Sequence, residues 1–388
     1  MIIFQLVLIL VAAKLAGSIS VRFGQPSVLG QIVVGIALGP SVLGLIDATD
    51  TLSAFSTIGV ILLMFIAGLE TDLSELKRSG KSSAYVGFGG IALPLFLGYL
   101  AGDLMGLSNL QTWFLGVILS ATSVSISVQA LKEMNQLKTP AGTTILGAAV
   151  IDDIVVMVVL AFLMSLAGGD VSLTALVIKK VLFFAIAILA AWKVVPWIMN
   201  KLAKLPVSEA VISFALIICF AYAFAAEYTG VANIIGAYAA GIAVGLTKFK
   251  YEVFEKVETI SYAIFVPVFF AYIGISAAFT GIFDNMGLIL LLSILAILTK
   301  LIGAGAGAKL SGFGWKPALG IGSAMVSRGE VALIAASMGL SSGLVTQDLY
   351  STILIVVIIT TIVTPPMMNY FFKAENLAGR NEKIRRSV

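Results

Sequence analysis

The stretch Gly147-Ala148-Ala149-Val150-Ile151-Asp152-Asp153 lies within an apolar run over residues 140–167. Such a run exceeds the roughly 20 apolar residues that a helix needs to cross a bilayer. One charge at the bilayer centre costs about 2.5–3.5 kcal/mol, so two neighbouring carboxylates there demand partners or water. Consecutive helical side chains point about 100° apart. Asp152 and Asp153 therefore meet different surroundings: one can face a basic partner while the other faces a water-filled cavity.

The rest of the chain has the same apolar character. Of its 388 residues, 60% are hydrophobic and 11% charged, against roughly 45–50% and 25% in soluble domains. A soluble globular enzyme is excluded, and so is a disordered chain. Apolar runs separated by polar clusters give about 13 candidate spans, at 2–22, 26–46, 52–69, 83–104, 111–131, 140–167, 172–200, 207–227, 231–247, 259–280, 285–308, 317–340 and 347–372. The expected fold class is an all-α polytopic membrane protein with no sizeable aqueous domain. The first run has no basic start and no obvious cleavage site, so it reads as a retained span. Cys219 is the single cysteine and histidine is absent. That removes a disulfide framework, haem, the usual zinc sites and histidine bases, and no cofactor is expected.

Orientation follows from where lysine and arginine fall. At every second connection the basic residues are Arg22; Lys77, Arg78 and Lys81; Lys132 and Lys138; Lys201 and Lys204; Lys248, Lys250 and Lys256; Lys309 and Lys316. The tail, 373–388, adds Lys373, Arg380, Lys383, Arg385 and Arg386. The intervening connections carry Asp47, Asp50, Asp103, Asp170, Glu227, Asp284 and Asp348 instead, with Lys179 and Lys180 as the exception, near the outer end of span seven. This asymmetry places the C-terminus in the cytoplasm and, with 13 spans, the N-terminus outside. The net charge of +4 thus reports topology, and no nucleic-acid partner is expected. The basic tail sets topology, with anionic lipid as a secondary contact.

The other charges fall inside spans: Lys14, Asp152, Asp153, Lys193, Lys300, Arg328 and Glu330. Lys14 and Lys193 are near enough to span ends to snorkel. Lys300 is the natural counter-ion for the aspartates, because an isolated ammonium in the bilayer tends to lose its proton and a carboxylate restores it. A Lys–Asp pair that opens and closes is a proton-handling device as well as a structural tie.

Two spans carry helix-breaking patterns. Ala121-Thr122-Ser123-Val124-Ser125-Ile126-Ser127 has four hydroxyl residues in a short stretch, a weak helix former that can offer oxygens if it unwinds. Ser323-Ala324-Met325-Val326-Ser327-Arg328-Gly329-Glu330 sets an ion pair beside a glycine at membrane depth. Irregular backbone there is tolerated only within protein or beside a water-filled cavity. The two breaks lie seven spans apart, so their segments cross in opposite directions. That points to an inverted-repeat transporter, with spans one to six and eight to thirteen as repeats and span seven as connector. By contrast, Gly303-Ala304-Gly305-Ala306-Gly307 reads as a close-packing stripe, and the charges from Glu70 to Lys81 as a solvated connection.

Gly24-Gln25-Pro26-Ser27-Val28-Leu29-Gly30, continuing through Gly35-Ile36-Ala37-Leu38-Gly39-Pro40-Ser41-Val42-Leu43-Gly44, resembles the N-terminal signature of the monovalent cation:proton antiporter-2 family. Phe65-Ile66-Ala67-Gly68-Leu69-Glu70, the Ala-Thr-Ser stretch, the Asp-Asp pair and Ser327-Arg328-Gly329-Glu330 match that family in order. The resemblance is closest to NapA-type sodium/proton antiporters. Kef-type potassium/proton relatives usually differ at the first aspartate and carry a cytosolic nucleotide-binding domain. The resemblance implies a homodimer, with spans 1–3 and 8–10 as dimerisation domain, span 7 as linker, and spans 4–6 and 11–13 as a mobile core with two broken crossing helices. It implies that Asp153 exchanges a cation for protons, that Asp152 pairs with Lys300, and that Thr122 and Ser123 flank the ion. Ser327, Arg328 and Glu330 would form the polar group of the other crossing helix.

The function expected is therefore a secondary antiporter of the plasma membrane exchanging Na⁺, or Li⁺, for H⁺ by alternating access. Its partners are monovalent cations, protons and lipid, and Lys300 as a second titratable group makes electrogenic exchange the expectation. A Kef-like K⁺/H⁺ antiporter is the alternative. An intramembrane aspartyl protease is a rival from another class, though its dyad would come from separate helices and no Gly-x-Gly-Asp occurs. A channel is the third, and obligatory cation–proton coupling would exclude it.

Overall fold

A computed structural model describes residues 2–23, 25–166, 173–202, 205–276 and 285–386. Among them no β-strand occurs. The first half comprises α1 (Ile2–Arg22), α2 (Ser27–Leu38), α3 (Asp50–Glu70), α4 (Leu73–Arg78), α5 (Gly80–Leu104), α6 (Asn109–Ser120), α7 (Val124–Glu133) and α8 (Pro140–Leu166). Then come α9 (Leu173–Leu189), joined through a π-turn to α10 (Val195–Lys201), α11 (Ala210–Tyr228) and α12 (Asn233–Gly245). The last part holds α13 (Lys250–Ile260), joined through a second π-turn to α14 (Val266–Ile275), then α15 (Met286–Leu310), α16 (Trp315–Ala324), α17 (Glu330–Ser341) and α18 (Gln347–Arg386).

Ten helical stretches are long and apolar enough to cross a membrane, counting α6–α7 as one. Three expected spans are shorter. Over 26–46 the helix is only 12 residues long, about 18 Å at 1.5 Å per residue. It stops at Gly39, because the residue before Pro40 is pushed out of the helical region. The segment 231–247 yields the 13-residue α12, and 317–340 divides into α16 and α17. In the other direction, 259–280 begins earlier, at Lys250, because the charged residues up to Glu258 extend the helix beyond its apolar part. The tail likewise begins as a continuation of α18.

Helix partners repeat across the chain. α1 packs on α2, and α11 on α12; α2 packs on α14, and α3 on α12. α5 packs on α6 and α8, while α15 packs on α16 and α18. α5 and α15 pack on each other. Each of these pairings thus has its counterpart when every helix is exchanged for the one seven spans away. The set α1–α3 with α11–α14 and the set α5–α8 with α15–α18 meet largely where α7 touches α2 and α3 and where α18 touches α2.

The glycine stripe of α15 does pack backbone to backbone. A Cβ at Gly303 would lie 2.3 Å from the Gly89 carbonyl oxygen of α5, and one at Gly307 would lie 2.1 Å from that of Tyr85. Gly303→Ala is expected to destabilise by about 1–3 kcal/mol, since overpacking forces backbone shifts. Gly287→Ala, on the same helix but with nothing within 4 Å, is the control. Thermal unfolding of the two purified variants checks this; equal melting temperatures would refute it.

One of the two exceptions to charge placement, Lys180, and the in-span Lys14 both find partners. Lys180, buried on α9, donates to the Gly230 carbonyl at 2.7 Å, in the turn between α11 and α12 on the acidic side. Lys14 donates to the Tyr262 carbonyl at 2.9 Å, within the π-turn that frees backbone oxygens from the regular ladder. The connection after α3, however, is not solvated throughout. Glu70 keeps only 13% of its side chain exposed and lies 3.7 Å from the ammonium groups of both Lys132 and Lys138. The helix α3 runs to Glu70 itself, so this carboxylate ends beneath α7 rather than in a loop. Asp72 beyond it is exposed and caps α4. The backbone N–H groups of Ser74 and Glu75 hold its carboxyl below the usual range.

Candidate ion site at the helix crossing

The hydroxyl-rich stretch breaks the fifth span where its composition is least helical. Ser and Thr side chains compete for backbone partners, and α6 ends at Ser120 with Ala121, Thr122 and Ser123 unwound before α7 begins. In the other broken span α16 ends at Ala324, and Met325 to Gly329 are non-helical before α17. The two interruptions bond to each other. Ser123 N–H donates to the Ser327 carbonyl at 2.8 Å, and Ser327 Oγ donates back to the Ser123 carbonyl at 2.7 Å. Ser127 Oγ donates to the Ala324 carbonyl. Gly329 permits this approach, because a Cβ there would lie 2.6 Å from Ser123 Cβ.

Two helix C-termini and two N-termini converge at this crossing, bringing partial negative and positive charge to one depth. Arg328, 1% exposed, answers the first. Its guanidinium donates to the Val326 carbonyl at 2.5 Å and to the Ala296 carbonyl of α15 at 2.9 Å, and Thr361 of α18 donates to the Arg328 carbonyl at 2.9 Å. The side chain of Glu330 lies outside the described residues, so the expected Arg328–Glu330 pair cannot be placed; its backbone opens α17.

Beside the crossing runs α8, in contact with α6, α7 and α16. It brings two aspartates: Asp152, fully buried, and Asp153, 3% exposed. Lys300 Nζ donates to Asp152 Oδ1 at 2.8 Å, and both side chains have no solvent exposure. Lys300 also lies within the fields of Asp153 and Arg328. Two carboxylates and two basic groups thus share one buried cluster, neutral overall when all four are ionised. Thr122 and Ser123, on the unwound segment between α6 and α7, are buried too. Among the described residues, Thr122 Oγ1, Ser125 Oγ and Asp152 Oδ2 have no hydrogen-bond partner. Buried polar oxygens of this kind are rare in proteins, and oxygen donors suit a hard monovalent cation.

The residues singled out from sequence, Asp152, Asp153, Lys300, Thr122, Ser123, Ser327 and Arg328, therefore all lie at or beside the crossing. Sequence reading missed Thr361 and the Ala296 carbonyl. The run Thr360-Thr361-Ile362-Val363-Thr364 is a hydroxyl cluster that could have drawn attention to α18. Nothing in sequence singles out one carbonyl of α15.

A cavity of about 250 Å³ reaches the crossing at Ser123, Arg328 and Gly329. Its far end is lined by Ser53, Asn233 and Ser276, which sit by the connections that carry aspartate and glutamate. This cavity thus approaches the crossing from the acidic side, at Ser123 and Arg328, without being lined by Asp152 or Asp153.

Comparison with known proteins fits this geometry. Residues 7–373 match the family described as "Sodium/hydrogen exchanger, transmembrane". The chain is 55% identical over 381 residues to the Na⁺/H⁺-K⁺ antiporter GerN of Bacillus cereus, covering 98% of each chain. It is 43% identical over 372 residues to a Na⁺/H⁺ antiporter of Enterococcus hirae, covering 95% of this chain and 97% of that one. Among solved structures, the sodium proton antiporter MjNhaP1 of Methanocaldococcus jannaschii superposes with a TM-score of 0.72 at 16% identity, over 96% of both chains. At that identity the likeness speaks for the fold.

Proposed function

Because the chain belongs to the sodium/hydrogen exchanger transmembrane family, we propose that it is a secondary antiporter exchanging Na⁺, or Li⁺, for H⁺ by alternating access. The observation that carries this reading is the buried cluster of Asp152, Asp153, Lys300 and Arg328 at the crossing of two interrupted helices. Membership in a transporter family also sets aside the protease.

Asp153 is the exchanging carboxylate in this reading. It binds a cation or a proton, and occupancy by one excludes the other. Thr122 and Ser123 lend oxygens, and Asp152 keeps Lys300 in place. With the cluster neutral when fully ionised, an arriving Na⁺ adds one positive charge in a desolvated place. Loss of a proton from Lys300 relieves it, so more protons than cations move per cycle. The repeated helix pairing supports two inverted repeats within a chain of 13 spans. The separate packing of the two helix sets supports a dimerisation domain (spans 1–3 and 8–10) and a mobile core (spans 4–6 and 11–13), joined by linker span 7. We place the protein in the plasma membrane as a homodimer, N-terminus outside and C-terminus in the cytoplasm.

K⁺ as a further cargo is the second reading, favoured by the name of the Bacillus relative at 55% identity. Proteoliposome assays comparing Na⁺, Li⁺ and K⁺ across pH separate the two readings. In the same vesicles, an imposed potential of 100 mV is expected to alter the gradient held at equilibrium by about fiftyfold per net charge, since one charge is worth about 2.3 kcal/mol there. A gradient indifferent to voltage would refute electrogenic exchange, and cation flux without proton flux would refute antiport.

A further inference from the structure

The crossing helix α7 ends in a polar cluster on the basic side, which the ion site does not use. Glu133, its last residue, accepts from both the backbone N–H and the hydroxyl of Ser27, each at 2.5 Å. Ser27 opens α2, and Pro26 before it supplies no side-chain cap. The N-terminus of α2 is therefore capped by a carboxylate from another helix, where an anion is favoured. Gln129 donates to Glu133 at 2.7 Å and accepts from the Tyr262 hydroxyl at 2.8 Å. Lys132 lies 2.7 Å from Glu258 and 3.7 Å from Glu70, with the rings of Phe254 and Tyr262 beneath its ammonium at 5.1 and 4.8 Å.

Every one of these links, apart from the one within α7, joins α7 to the set that contains α2, α3 and α13. The same half-helix begins at the crossing, with Ser127 and Ser123 tied to the second broken span. A short helix is stiff, so what holds its basic-side end also holds the crossing. On the basic side a larger cavity of about 590 Å³ opens among Ser27, Gln129, Lys132, Glu133, Glu258 and Tyr262 themselves but touches none of the crossing residues. The cavity that does reach the crossing comes from the opposite, acidic side.

We propose that Glu133–Ser27, Lys132–Glu258–Glu70 and Gln129–Tyr262 form a basic-side latch that holds α7 in the conformation open to the acidic side. The inference rests on the alternating-access reading above and adds the residues that set the balance between its two states. Release of the latch is then a required step of each cycle, and weakening it favours the conformation closed on the acidic side.

The test reads conformation, not transport. In a Cys219→Ala background, Ser56→Cys places one thiol on the wall of the acidic-side cavity, and an impermeant maleimide added from that side reports its accessibility. Glu133→Gln and Lys132→Met are each expected to shift the equilibrium about tenfold away from the conformation open to the acidic side, the order set by losing one charge-assisted hydrogen bond, and so to slow labelling by up to that factor. Ser27→Ala, which removes only a hydroxyl, should slow it less and serves if a charge variant fails to fold. Lys256→Gln breaks a basic-side ion pair with Glu209 that does not involve α7 and should leave labelling unchanged. Unchanged labelling in the latch variants, or an equal change in Lys256→Gln, would overturn the proposal. Absence of exchange by the unaltered protein would instead sink the transport reading, and because labelling does not measure flux, the two failures are distinguishable.

Discussion

Asp153→Asn is expected to abolish cation–proton exchange in proteoliposomes while the protein stays folded. Asparagine has the shape of aspartate but no charge and no proton to release near neutral pH, so a site built on alternate occupancy by cation and proton has nothing to alternate. The fold should tolerate the change, because a carboxylate 3% exposed carries a desolvation cost that the neutral amide avoids. Ion flux and thermal unfolding measured on one preparation settle it. Turnover like that of the unaltered protein would refute the role of Asp153, and loss of the folded protein would show that its charge is structural.

Lys300→Gln is expected to act in two ways. Removing the ammonium leaves Asp152 Oδ1 without its 2.8 Å partner in a pair that has no solvent exposure. Breaking such a pair from one side costs about 3–5 kcal/mol, less if water enters, so a marked fall in melting temperature should follow. Wherever the variant folds, exchange through Asp153 should continue but lose its voltage dependence, since the second proton carrier is gone. A variant that melts lower yet remains electrogenic would reduce Lys300 to a structural tie. One with unchanged melting and unchanged electrogenicity would remove both roles.

Much of the molecule was legible because hydropathy and charge are local. The helices lie close to the apolar runs, and Asp152, Asp153, Lys300 and Arg328 stood out as charges in places where charge is expensive. The unwound residues near Thr122 and Ser327 were legible too, since hydroxyl clusters and glycine weaken a helix wherever they occur. Boundaries failed where a neighbour decides. Pro40 cut α2 short, and the charged face of α13 extended a helix that hydropathy alone would end.

Partners were the harder matter. Glu70 read as part of a solvated loop, yet it is enclosed by Lys132 and Lys138, more than 60 residues further along the chain. Ser27 and Glu133 meet across 106 residues, and Thr361 reaches a carbonyl 33 residues back. The sequence by itself determined that this is a helical membrane protein with a charged, interrupted centre, because the cost of a charge or a broken helix in lipid depends on the residues adjoining it. Only the tertiary structure decided which charges meet, which carbonyls Arg328 satisfies and which side of the crossing is open. Those choices follow from which helices lie side by side, and that depends on backbones approaching closely at positions such as Gly89, Gly303 and Gly329, far apart along the chain.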